Sequence, residues 1–469
     1  MNKKRVDQRI KKRISSVLKN IPPEKKSKEP RLKKPIFSIF SRKSTREQIG
    51  KLSPLFRATS LKKPMPPDES LKPKFSKGSI KNIRLFIKEK VKSWASAFMK
   101  SLGFTRELTN VWGLDIGTDC IKLLKMSHEK EQPVLIKLSC EIIPSRFHNA
   151  GPQRSEYIKQ ILKKMVLKHQ AGGEVVNCAI SNPLLTVRVV KVPPMAEQEI
   201  SKAIRQRLVQ QYRIDLDKEI ARFVILGEKE DRNVKQMQIL TITVPREIIT
   251  AQFNLVKQSG LKPIVIEPDY FSLVFSYLEN HQYKPEEVIM LLNIGARYSS
   301  FSFVSNGNLN FNRSILFGSN ELLSALVNNL NISFQEAEKK LKTFGIPMTD
   351  WHYLTSRDNK EASSEESMFF RAMQVALEKI ITEFHNTLNF YFYQLSGSAA
   401  QKLDKILISG GGSKIKNFKE FLNLRLEIPV ETLDSLKNVQ IADKIDKKLI
   451  EEFSGQLDVV IGLVLRKII

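Results

Sequence analysis

The spacing of apolar and polar positions changes along the chain, and the changes mark out its elements. From Ile80 to Leu102 the apolar residues Ile80, Ile83, Ile87, Val91, Trp94, Phe98 and Leu102 recur every third or fourth position. Lys81, Arg84, Lys88, Lys92 and Lys100 fall between them. That spacing predicts a basic amphipathic helix with one apolar stripe, stopped near Gly103. Further on, short apolar strands run into glycine turns three times. The turns read Gly113-Leu114-Asp115-Ile116-Gly117-Thr118-Asp119, Leu291-Leu292-Asn293-Ile294-Gly295-Ala296 and Ile406-Leu407-Ile408-Ser409-Gly410-Gly411-Gly412-Ser413. The first two share the order apolar, apolar, Asp or Asn, Ile, Gly, small. Alternation then resumes at Ile121, Leu123 and Leu124 after the first, and at Phe301, Phe303 and Val304 after the second. This is a hairpin used twice, and it predicts two related half-domains.

Between the two hairpins, "VRVVKV" at Val187–Val192 reads as a strand closed by Pro193-Pro194-Met195. A charged helix with Ile200, Ile204 and Leu208 on its apolar face follows. Strands at Ile220–Leu226 and Gln238–Val244 and a helix at Arg246–Ser259 complete an insertion of about residues 194–262. Thr355–Ser367 reads as a polar loop, and the aromatics of Phe384–Tyr393 fit a long buried helix.

The 469 residues suffice for about two to four domains. Composition changes the picture in one place. Of the net charge of +28, +23 lies in the first hundred residues, leaving a nearly balanced body. The Lys-, Pro- and Ser-rich stretch 1–78 is too poor in apolar residues to offset its chain entropy, so a disordered basic arm is expected. The helix at 79–104 that follows suits the surface of an anionic membrane, a partner helix or the folded body. Few aromatics are interleaved with the lysines, which argues against nucleic acid. Cys120, Cys140 and Cys178 form no CxxC pair, so neither a disulfide scaffold nor a zinc site is expected. No apolar run reaches membrane-spanning length and no apolar signal core follows the first basic residues, so a cytoplasmic protein is expected.

Glycine turns let backbone approach phosphate closely, and small hydroxyl neighbours help wrap an anion. Two facing hairpins, with Gly410-Gly411-Gly412-Ser413 for the nucleoside, would make a nucleotide clamp. The stretches that carry this pattern are "GLDIGTDCIKLLKM", "GLKPIVIEPDYFSLVFSYL", "MLLNIGARYSSFSFVSNGNLNFNRSILFGSNEL", "LDKILISGGGSKIKNFKEFLNLRLEIPVE" and "DVVIGLVLRKI". In order and spacing they resemble the PilM family of type IV pilus assembly proteins, within the actin-like ATPases that include hexokinase, the heat-shock chaperones, MreB and FtsA. The likeness covers roughly residues 110–469.

The resemblance implies an α/β, actin-like fold: two related lobes of mixed sheet and helices around a nucleotide cleft, with an FtsA-type extra subdomain. The first lobe would occupy 110–285 and the second 286–469. It implies ATP held by Asp115, Gly117, Thr118, Asp119, Asn293, Gly295, Ala296, Gly410, Gly411, Gly412 and Ser413, with Mg2+ near Asp115 through water. Glu338 and Lys342 resemble a pair flanking the nucleoside, although an i,i+4 surface ion pair explains them equally well. The chain departs from the family at Asn293, usually aspartate, and at Asp119, usually a small hydroxyl residue. Asparagine cannot take up a proton, so hydrolysis should be weak or absent, with Glu267 the remaining candidate for orienting water. Glu267 serves equally well as a helix cap at a strand end.

The implied function is an ATP-binding scaffold on the inner face of the cytoplasmic membrane, as a homo-oligomer or not. It would bind a short peptide of a PilN-like bitopic membrane protein and contact other platform or motor components. Ile83, Ile87, Val91, Trp94 and Phe98 would add a membrane or partner contact. The rival expectations are an active ATPase, an FtsA-like membrane-associated filament protein, and a type II secretion or competence platform component.

Overall fold

A computed structural model describes residues 110–129, 132–149, 151–231, 234–284, 286–346, 365–392 and 402–465. The basic arm and the helix expected at 79–104, with Ile83, Ile87, Val91, Trp94 and Phe98, lie outside the described residues.

The chain begins with β1 (Asn110–Ile116), β2 (Cys120–Ser127), β3 (Val134–Ile142), α1 (Pro152–His169), β4 (Val175–Ile180) and β5 (Thr186–Val192). It continues through α2 (Glu197–Tyr212), β6 (Glu219–Asp231), β7 (Val234–Pro245), α3 (Arg246–Gln258), β8 (Lys262–Pro268) and α4 (Asp269–Asn280). The second half holds β9 (Val288–Ile294), β10 (Ser299–Ser305), β11 (Asn308–Ile315), α5 (Ser319–Leu330), α6 (Phe334–Phe344) and α7 (Glu365–Asn389). It ends with β12 (Lys405–Ser409), α8 (Phe418–Leu426), β13 (Val430–Thr432), β14 (Gln440–Ile441), α9 (Lys447–Phe453) and α10 (Asp458–Leu465).

The doubled hairpin becomes a doubled sheet. The first sheet runs β14-β3-β2-β1-β4-β8 and the second β11-β10-β9-β12-β13. Apart from β14, each has three antiparallel strands and then two parallel ones, with the glycine turn leaving the central strand. A third sheet, β5-β7-β6, carries the insertion. It starts at Thr186, upstream of the 194 read from the sequence, because Val190 and Val192 of β5 share a core with Ile200, Ile204 and Leu208 of α2. Pro193-Pro194 therefore ends a strand within the subdomain. At the other end α3 packs on β8 and α1 while its first turn still touches β7. The chain end likewise returns from the second lobe: β14 pairs with β3, and α10 lies on β1, β2 and β4. Residues 355–364 of the expected polar loop, and Tyr393, lie outside the described residues, and Glu365–Ser367 already belong to α7. Phe384 is buried as read, and Tyr391 stacks on Phe303 with ring centroids 4.1 Å apart.

Two helices join the lobes. α4 leaves the first sheet and packs on strands of both, and every residue of α10 is buried. They meet at Gly462, where a Cβ would stand 1.8 Å from the Ser272 carbonyl oxygen. Gly113 gives the same closeness beneath α10, since a Cβ there would lie 2.7 Å from Val464. The last carbonyls of α10 are met by lobe-one side chains: Asn177 Nδ2 donates to Leu463 O at 3.1 Å, and His128 Nε2 lies 2.6 Å from Val464 O. At its other end Asp458 accepts from Ser409 Oγ (2.7 Å) and Ser435 Oγ (2.6 Å), tying the helix to the end of β12. Burial raises the Asp458 carboxyl to about 7, against the two serine hydroxyls that favour its charged form.

Gly462→Ala should destabilise the protein by about 2 kcal/mol or more, because the obstructing atom is backbone and cannot rotate away. Thermal unfolding reads this directly; an unchanged Tm would mean that the two helices separate without cost.

Candidate nucleotide cleft

In the first hairpin Gly117 N–H donates to Cys120 O at 2.9 Å and closes the turn. In the second, Gly295 N–H donates to Tyr298 O at 3.0 Å in the same way. Each turn then has its carbonyls occupied from outside. Arg154 donates to Gly117 O (2.6 Å), Thr118 O (2.9 Å) and Phe147 O (2.6 Å). At the second turn the first amides of α5 do this work: Ser319 N–H to Gly295 O at 3.0 Å and Asn320 N–H to Ala296 O at 2.9 Å. Carbonyl oxygens repel phosphate, so occupying them biases both turns toward anions by one principle with different donors.

The third turn packs against the second. Gly410 has φ +83°, and a Cβ there would lie 2.4 Å from Ile294 O and 2.5 Å from Asn293 Oδ1. Only glycine fits that position. Gly410 N–H donates to Gly455 O at 2.8 Å.

The three turns open on one cleft of about 740 Å³. Asp115, Gly117, Thr118, Asp119, Asn293, Gly295, Ala296, Gly410 and Gly411 all line it. The other expected site residues do not. Gly412 is pressed on Ile294, Ser413 Oγ donates back to Gly410 O at 2.7 Å, and Lys414 Nζ caps the end of α9 through Glu451 O and Glu452 O. Glu338 and Lys342 make a 3.9 Å pair on α6 with side chains 50% and 79% exposed, the surface geometry of i,i+4 partners. Glu267 is 4% exposed and accepts from Ser272 Oγ at 2.7 Å, away from the cleft lining.

Two residues further on, Asp269 does reach the cleft. It accepts from Tyr270 N–H at 2.8 Å and from Asn293 Nδ2 at 3.4 Å. Burial first, and then the nearby Asp115 charge, push its carboxyl up to about 7 against the opposing Ser181 hydroxyl. The sequence reading also passed over Lys122. It stands directly opposite Asp115 in the β1–β2 register, and its Nζ lies 2.6 Å from Asp115 Oδ2. Burial works against the Lys122 ammonium, but the Asp115 charge more than offsets this and holds its pKa above the ordinary lysine value. A signal was present: in a tight hairpin the residue facing Asp115 can be counted across the turn.

The model of the family described as type IV pilus assembly protein PilM matches residues 113–352 and 361–468. The chain belongs to the PilM family. A chain of the PilM-PilN type IV pilus biogenesis complex matches with TM-score 0.64 and 21% identity, over 77% of this chain and 99% of that one. MreB 5 of Spiroplasma citri bound to AMPPNP gives TM-score 0.42 and 15% identity, over 76% and 95%. The ethanolamine utilization protein EutJ from Carboxydothermus hydrogenoformans gives 0.42 and 12%, over 80% and 98%. The fold is that of the chain from the PilM-PilN complex, with the two related lobes that the PilM resemblance implied. No helix among the described residues is long and apolar enough to cross a membrane.

The carboxylates available to the expected Mg2+ are Asp115, Asp119 and Asp269, which all line the cleft. Among the described residues no three of His, Cys, Asp and Glu come together as a metal cluster. Asp115 is committed to Lys122, Asn293 offers an uncharged amide, and Asp269 already accepts from that amide and from backbone.

Removing one member of a buried pair leaves the other charge uncompensated, at about 3–5 kcal/mol. Lys122→Met should therefore destabilise the PilM-family body by that order in urea unfolding, and Lys122→Met with Asp115→Asn should recover most of the loss. Equal losses for the single and double variants would show that the two side chains are not coupled.

Proposed function

We propose that this PilM-family chain is an ATP-binding scaffold of a type IV pilus inner-membrane platform, acting in the cytoplasm with little or no ATP hydrolysis. The observation that carries the reading is the pair of facing glycine hairpins, each with its turn carbonyls occupied by N–H donors. Together with Gly410 and Gly411 they form a cleft suited to a nucleoside polyphosphate. ATP acts by drawing the two lobes together, an equilibrium shift that changes the affinity for a partner. The partner is a short cytoplasmic peptide of a PilN-like bitopic membrane protein, with other platform or motor components assembled around it. The basic helix at 79–104 adds a hold on the membrane surface.

One observation favours the rival reading as an active ATPase. Asp269 lies in the cleft with its carboxyl raised to about 7, where a general base works best. An Asp269 base would give turnover that rises with pH through about 7 and disappears in Asp269→Asn.

The deciding experiment is affinity capture of the full chain from gently solubilised native membranes, with ATP turnover measured on the same preparation. Recovery of a short-tailed bitopic membrane protein with pilus components, and negligible turnover, is the expected result. Absence of any membrane partner, or turnover lost in Asp269→Asn, would overturn the scaffold reading.

A further inference from the structure

Four basic side chains line the cleft: Lys122, Arg154, Lys159 and Arg297. Three are committed. Lys122 pairs with Asp115, Arg154 spends its guanidinium on three carbonyls, and Lys159 pairs with Glu156 one turn away. Arg297, at the second glycine turn, has no carboxylate or carbonyl partner among the described residues and only lies over its neighbour Tyr298. Arg154, on the other lobe, is held below the ordinary arginine value by burial first; the Asp119 carboxylate opposes this and the Arg297 charge adds to it. The two guanidinium groups line one cleft from opposite lobes, and an anion bound between the lobes would relieve their mutual repulsion.

The acidic side of the site is depleted at the same place. Asn293 stands two residues before Gly295, in the turn that carries Arg297. Asp115 already has a cation at 2.6 Å, so its charge is not available to attract another. Relative to a hairpin with aspartate at 293 and a neutral residue at 297, the polyphosphate end gains positive charge twice over. Asp119 and Asp269 also line the cleft, but the Asp119 charge acts on Arg154 and Asp269 accepts from Tyr270 N–H and Asn293 Nδ2. A divalent cation would therefore compete with a partner at each carboxylate, and the charge it would contribute is supplied by the protein.

We propose that Arg297 takes the place of the divalent cation at the terminal phosphates, so that this chain binds nucleoside triphosphate without Mg2+. The guanidinium fork matches two phosphate oxygens and bridges from the second lobe to phosphates seated on the first hairpin. Lobe closure then depends on an arginine–phosphate contact, which needs no metal. This inference rests on the nucleotide-binding reading of the same cleft and specifies the form in which the ligand binds.

The test is titration of the full chain with a fluorescent ATP analogue, in excess Mg2+ and in EDTA. The wild type should bind with Kd values within about threefold of each other in the two buffers. Arg297→Ala should weaken binding in EDTA by about tenfold or more, with Arg297→Lys recovering part of the loss. Asn293→Asp should bring metal dependence back, so that EDTA now weakens binding by about tenfold. Circular dichroism on the variants separates these effects from misfolding. Wild-type binding that collapses in EDTA, or Arg297→Ala binding like the wild type, would overturn the metal-free proposal and leave the nucleotide reading standing. No binding in either buffer would overturn the nucleotide reading itself.

Discussion

Everything the cleft does depends on the crossing of α4 and α10 at Gly462. The backbones approach so closely there that the Ser272 carbonyl occupies the space of a Cβ. Those two helices are also the passage between the lobes, one leading out of the first sheet and one bringing the chain end back onto it. A contact between backbones resists separation, because separating them would open a void in a core that is close-packed on all sides. The cleft therefore lies between lobes joined by a close backbone crossing, and its glycine turns line it.

The two turns solve one electrostatic problem twice. Each must present an anion-friendly surface although half of its polar groups are carbonyls. The first hairpin uses the side chain of Arg154, and the second uses the N-terminal amides of α5. The sheets behind them share one strand pattern, yet the supporting donors differ. The common requirement thus lies in the physics of the turn, and each lobe meets it with what is at hand.

The hairpins, the three glycine turns, α2 and the aromatic end of α7 could be read from the sequence, because each is written in local periodicity or in glycine. So was the doubling of the lobe. What escaped was long-range. Arg154 reaches the first turn from 36 and 37 residues away, and no spacing rule announces it. Glu267, read as a candidate for orienting water or as a helix cap, lies off the cleft lining for a geometric reason. Glu267 sits within β8 beside Ala179, and its side chain turns to Ser272, whereas Asp269 opens the next helix at the cleft wall. The limits of the inserted subdomain were misplaced because Pro193-Pro194 looks like a boundary, while β5 just before it already contributes to that subdomain's core. Glu338 and Lys342 carried two readings at once, and exposure on the α6 surface matches the plainer one.

On the proposed reading, a chain of the PilM family with an uncharged amide at position 293 and an arginine at position 297 would hold a nucleotide without breaking it down. Its output would then be shape, read by a partner as the two lobes approach. The most direct measurement is the distance between spin labels on exposed sites of the two lobes, Lys164→Cys on α1 and Asn328→Cys on α5, in a Cys140→Ser background. Adding a non-hydrolysable ATP analogue should shift the distribution to shorter distance and narrow it. A distribution that stays unchanged while the analogue is demonstrably bound would contradict the clamp.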